Sequence, residues 1–198
     1  MLGRTAYFVR EHIGVLKLQN TYDILDPATR EQIGVATEEA DLWMVGLRLF
    51  LGRRFVPTRV RVYSGSVPGD PAKLVFSLHK GVSFLRSRIE VREKRNIGIG
   101  ELVSRVLTLG GALDIHNERG RPVASLEGNW IGWEFKYRDP SGRQIGEVTK
   151  KWAGLGKELF TTADNYIVSF AAPPAERMSA LLLAAVLAID MIYKEDGD

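Results

Sequence analysis

Along most of the chain, apolar residues recur at every second position, in short runs. Residues 22–37, YDILDPATREQIGVAT, show the unit. Tyr22 and Ile24 alternate with polar neighbours, Asp26-Pro27 breaks the run, and alternation resumes at Ile33 and Val35. A period of two puts the apolar set on one face of a strand, and a polar Asp/Pro/Gly break reads as a hairpin turn. The pattern returns at 135–150 around Asp139-Pro140 and Gly142, and at 112–127 around Asn117 and Gly120. A looser copy at 89–103 turns at Asn96. The turn starts Asn117 and Asp139 are 22 residues apart, but the other spacings are irregular, so the unit is a repeated hairpin rather than a solenoid. Further strands are expected at 7–10, 15–18, 60–63, 74–79 and 165–170, with SGSVPGDP (64–71) as an exposed turn. Together these make about a dozen strands in a meander that needs no crossover helix. Antiparallel pairing follows, and closure into a barrel is the usual way to remove so many edges.

Two stretches break the period. Residues 38–52, EEADLWMVGLRLFLG, open with acids and end at glycine, as a short capped helix should. Residues 175–194, AERMSALLLAAVLAIDMIYK, follow Pro173-Pro174 and carry Glu176 early and Lys194 at the end, which suits the helix dipole. The apolar part of this second helix runs from Met178 to Tyr193, sixteen residues. At about 1.5 Å per residue it reaches roughly 24 Å, short of the roughly 30 Å of a bilayer's hydrocarbon core. It also contains Asp190, which costs about 2.5–3.5 kcal/mol at a bilayer centre. A helix apolar all round within an otherwise ordinary composition is expected to be buried in protein.

That composition is 45% hydrophobic and 26% charged over 198 residues, which fits one globular domain spanning 1–198. The net charge of +3 permits attraction to an anionic surface without demanding it. With no cysteine, a disulfide scaffold, a thiolate zinc site and a cysteine nucleophile are all excluded. The first residues, MLGRTAYFVREHIGVLKLQ, lack the apolar core of a signal peptide, so a cytoplasmic location, peripheral at the membrane, is expected.

Several of these residues, taken together, resemble a known family. TADNYIVSF (162–170), the apolar helix ending AIDMIY (188–193), the Asp-turn-Ile-Gly hairpins and KKW (150–152) are similar to phospholipid scramblases and the related LURP-one proteins. The resemblance covers nearly the whole chain. It implies a tubby-like fold: a closed antiparallel barrel of about twelve strands wrapped round the hydrophobic C-terminal helix, with Asp190 near the mouth. It also implies a calcium loop over 162–173, but here the ends of that loop are Thr162 and Pro173. Asp164 is its only carboxylate, beside Asn165. A cation that wants six to eight oxygens is poorly served by that set, so no cofactor is expected.

Enzyme chemistry finds no foothold. His12, His79 and His116 stand alone, GIGELV (98–103) reads as a β-bulge within a strand, and GLGKE (154–158) fails the P-loop pattern at two positions. No G-x-S-x-G elbow and no argued acid–base pair is present. The basic clusters carry the functional reading: Arg53-Arg54, Arg59 and Arg61 alternating on one strand, and Lys150-Lys151 before Trp152. Each basic residue close to an anionic bilayer contributes about 1 kcal/mol, so these six are candidate contacts for anionic phospholipid. Trp43, Phe50 and Phe55 could add interfacial anchoring. The function expected is therefore non-enzymatic binding at a membrane surface, with a role in lipid scrambling. A soluble scaffold for a ligand or protein partner is the alternative. Nucleic-acid binding is not expected, because there is no recognition helix and no strongly basic face.

Overall fold

The computed structural model describes residues 1–13, 20–39, 57–82, 86–105, 110–129, 132–150 and 165–193. The strands are β1 (Ala6–Ile13), β2 (Asn20–Leu25), β3 (Gln32–Glu39), β4 (Thr58–Ser64), β5 (Leu74–Lys80) and β6 (Arg88–Glu93). They continue as β7 (Ile97–Ser104), β8 (Ala112–Asn117), β9 (Pro122–Asn129), β10 (Glu134–Arg138), β11 (Gln144–Thr149) and β12 (Asn165–Phe170). Each pairs antiparallel with its neighbours in sequence, and β1 pairs with β12, so the described strands close into a barrel of twelve. A helix, Glu176–Tyr193, follows β12 and fills it.

The repeated turns are built alike because their first residue does the same work in each. Asn117 Oδ1 accepts from the backbone N–H of Arg119 and Arg121, and Asp139 Oδ1 from those of Ser141 and Arg143. Gly120 and Gly142 then take the left-handed conformation, at φ 70° and 84°, that brings the chain back. Asp26 starts the β2–β3 turn in the same way, accepting from Ala28 and Thr29.

Just past the turns, five hairpins slip register by one residue, leaving Ile33, Val75, Ile99, Val123 and Ile145 without a cross-strand partner. All five are β-branched. Ile99 is fully buried, and the other four pack against the core. These bulges increase local twist and curvature, which a closing sheet requires. GIGELV is one of them.

The helix is the barrel's core. From Ala180 to Ile189 every residue is at most 3% exposed, and each large apolar side chain so buried contributes about 1.5–3 kcal/mol. Barrel tyrosines fix its height. Tyr7 Oη lies 2.9 Å from Ser179 Oγ, which also accepts from the Gly3 N–H at 3.1 Å. Tyr137 donates to the Leu182 carbonyl at 2.7 Å, and Tyr22 donates to Asp190 Oδ2. That last bond answers the one charged residue in the apolar run. Burial, and then the negative charge of Asp190, push the Tyr22 phenol well above its usual range. Among the described residues no helix is long and apolar enough to cross a membrane.

One sequence expectation is corrected. Glu38 and Glu39 do not open a helix; they close β3, where Glu38 is buried and Glu39 meets Arg59 across the ladder. The rest of the expected helix 38–52, like the expected strand at 15–18, lies outside the described residues.

Candidate functional site

The two barrel ends differ. Turns between β2 and β3, β4 and β5, β6 and β7, β8 and β9, and β10 and β11 gather at one end, where the helix enters. At the other end lie the last turn of the helix, the starts of β4 and β12, and the ends of β3, β5 and β11. Two of the basic candidates stand at this second end. Arg59 follows the first residue of β4, and Lys150 directly follows β11. Arg53, Arg54 and Lys151 lie outside the described residues, as do Trp43, Phe50 and Phe55. In barrel order β4 and β11 are separated by β3, β2, β1 and β12. Arg59 and Lys150 therefore share a rim but stand on nearly opposite walls.

Their surroundings differ too. Val60 and Val62 point inward and are fully buried, which turns Arg59 and Arg61 to the outside. Both face Glu39: Arg61 Nη1 lies 2.7 Å from Oε1, and Arg59 Nη1 lies 3.6 Å from Oε2. Lys150 lies over the indole of Trp133, with Nζ 5.7 Å from the ring centroid, and Trp133 itself stacks on Tyr166 at 4.5 Å. A cation over an aromatic face gains about 0.5–1 kcal/mol at an exposed site.

A groove of about 920 Å³ crosses the outer wall beside Arg59 and Arg61. The register puts Arg59 opposite His79 and His79 opposite Glu90, and puts Arg61 opposite Ser77 and Ser77 opposite Arg92. His79 accordingly sits among guanidinium groups. Burial, then Arg59 and Arg92, hold its pKa below the usual 6.5, and Glu90 offsets this only in part. Ser77 Oγ is 2.9 Å from His79 Nε2. His79 carries no motif of its own; only its place opposite Arg59, set by the register, makes it part of a site.

Elsewhere on the outer wall several arginines are paired with acids. Arg105 bonds Asp114 and Glu127, each at 2.6 Å, and the bond to Asp114 does most to raise its pKa. Arg88 meets Glu101 at 2.5 Å, and Arg177 meets Glu93 at 2.7 Å. Asn165 is buried at the start of β12, opposite Arg10 in register, and Asp164 lies outside the described residues. With Thr162 and Pro173 where acids would be needed, this donor set does not fit calcium.

A closed antiparallel barrel with a hydrophobic helix for its core is the tubby-like architecture. Residues 15–196 match the family model for scramblases, and the chain belongs to the scramblase family. Among curated relatives, phospholipid scramblase 2 of Bos taurus is 34% identical over 89 residues, covering 41% of this chain and 30% of the relative. A phospholipid scramblase family protein of Schizosaccharomyces pombe is 23% identical over 133 residues, covering 63% and 35%. Phospholipid scramblase 1 of Rattus norvegicus is 25% identical over 115 residues, covering 54% and 34%. The matched parts thus span about a third of the length of these relatives.

Proposed function

We propose that the barrel docks end-on to anionic phospholipid membranes through its second rim, and acts there without enzymatic chemistry in the manner of a scramblase. The observation that carries this reading is the pairing of scramblase-family membership with basic residues on both walls of one rim. Arg59 and Lys150 mark the two walls; a flat bilayer touching the end of the barrel would meet both, whereas one touching a side would not. Four to six such charges at about 1 kcal/mol each suffice for reversible, salt-sensitive binding. The helix stays within the barrel in this mode, so lipid movement would have to follow the protein's outside.

Flotation of detergent-free protein with neutral and anionic liposomes tests the docking. Binding is expected with anionic vesicles alone and should be lost in high salt. The quadruple variant Arg53→Glu, Arg54→Glu, Lys150→Glu, Lys151→Glu should no longer float, and undiminished flotation would refute the rim assignment. A dithionite assay on reconstituted vesicles separately reads lipid movement. The pairing of Arg59 and Arg61 with Glu39 favours a second reading, a soluble scaffold for a ligand or partner, because it offsets one of the two charges on that wall. Failure of the wild-type protein to float with any liposome would select it.

A further inference from the structure

We propose that the groove across β4, β5 and β6 is a binding site for a phosphate monoester, held by Arg59, Arg61 and His79. Insofar as that monoester is a lipid headgroup, the proposal rests on the docking reading above. Three observations converge on it. The first is supply of donors: Glu39 is shared by two guanidinium groups and lies close to only one of them, Arg61. Arg59, at 3.6 Å, keeps most of its five N–H donors for another partner. Planar guanidinium groups bind phosphate oxygens in pairs, so two on alternate residues of one strand suit a tetrahedral anion.

The second is space. The groove's volume, about 920 Å³, is within the range that encloses a small organic ligand. It opens at the rim proposed to meet the membrane, since Arg59 and His79 stand one residue from the ends of β4 and β5. The third is charge. The groups facing His79 are Arg59 and Arg61 from β4 and Arg92 and Glu90 from β6, with Glu39 of β3 beyond the arginines. Arg92 is itself paired with Glu90 at 2.7 Å, so three guanidinium groups against two carboxylates leave a surplus of one positive charge. Burial first, and then this surplus, disfavours the imidazolium. An anion seated among the same groups reverses that balance, so binding should draw a proton onto His79. A monoester, whose second ionisation falls near pH 6, brings up to two negative charges. A diester brings one, and gains correspondingly less.

Two experiments read this without any transport assay. In the first, the His79 ring is followed by NMR across pH with and without glycerol 3-phosphate or inorganic phosphate. Its midpoint is expected to rise by about one unit with the ester, which corresponds to about tenfold tighter binding below the transition than above it. In the second, flotation compares phosphatidic acid with phosphatidylglycerol in neutral lipid at matched charge. The wild type should prefer phosphatidic acid. Arg59→Gln with Arg61→Gln should float less on both lipids and no longer prefer phosphatidic acid, and the preference left in His79→Asn should no longer depend on pH. An unmoved His79 midpoint, with equal flotation on both lipids, overturns the site and leaves docking standing. A moved midpoint without flotation on any vesicle overturns docking and makes the ligand a soluble phosphate ester. If inorganic phosphate moves the midpoint as far as the ester does, the site reads the phosphate alone.

Discussion

Replacing Ala184 by leucine separates a helix in protein from a helix in lipid, because the two surroundings give opposite signs. Ala184 has no exposed surface; it lies mid-helix, with Ala185 and Ala188 equally buried. Leucine adds three carbons. In lipid they would find a fluid apolar solvent and gain roughly 2.4 kcal/mol, at about 0.8 kcal/mol per carbon. Inside a closed barrel the strands cannot separate without breaking their ladders, so the added carbons overpack the core at a cost of about 1–3 kcal/mol. For a chain of this size each kcal/mol lowers the melting temperature by about 2–4 °C, so a fall of roughly 2–12 °C is expected. Thermal unfolding followed by circular dichroism, without lipid and then with anionic vesicles, measures it. The fall should be the same in both, and carbonate-resistant flotation should not increase. A variant as stable as the wild type, or one that becomes carbonate-resistant on vesicles, would refute the buried helix and with it the end-on docking.

Two further predictions concern the wall. At Gly100 a Cβ would lie 2.2 Å from the carbonyl oxygen of His116 and 2.7 Å from Leu181 Cδ2, so Gly100→Ala should cost at least about 1–3 kcal/mol in denaturant unfolding. Gly81→Ala, with nothing near its Cβ, should stay within about 0.5 kcal/mol. Asp23 is partly desolvated, which by itself would raise its pKa, but hydrogen bonds from Arg10 and His12 outweigh this and hold it below 3.8. Its contribution is therefore present in full above the unfolded value and is lost as pH falls through the lower folded one. Wild type should exceed Asp23→Asn by about 1 kcal/mol at neutral pH, since Arg10 and His12 are both about half-exposed, with the gap closing only below about pH 4. A gap independent of pH would show that the charge of Asp23 is not what stabilises the fold.

The hairpins and the helix were legible because each is written locally. Asp26, Asn117 and Asp139 announce their turns through bonds to backbone two to four residues on, and alternation around them marks which face is buried. The length of the apolar run and the presence of Asp190 argued against a membrane span, although the bond from Tyr22, 168 residues away in sequence, was beyond any local signal. Glu38 and Glu39 misled for the same reason. Acids at the start of an apolar stretch look like a helix N-terminus, and only the β3–β4 register reveals that Glu39 answers Arg59 and Arg61. The alternation of those two arginines pointed to an exposed strand face. That His79 belongs beside them depends on a partner strand, and a histidine without a motif gives no hint of it. The position of Lys150 over Trp133 depends likewise on how the ends of β10 and β11 meet.

The helix that forms the core is also the last described segment of the chain. During synthesis the strands emerge first, each with an apolar face that has nothing to cover it. The contact that closes the ring, Tyr7 opposite Val168, spans most of the sequence. Loop closure over such a distance is slow, and a sheet with two open edges invites pairing with other chains. The barrel therefore assembles only once the helix has followed the strands out, around a mandrel made after the wall it supports. Until residues 176–193 leave the ribosome, the nascent chain should depend on chaperones that shield its apolar faces.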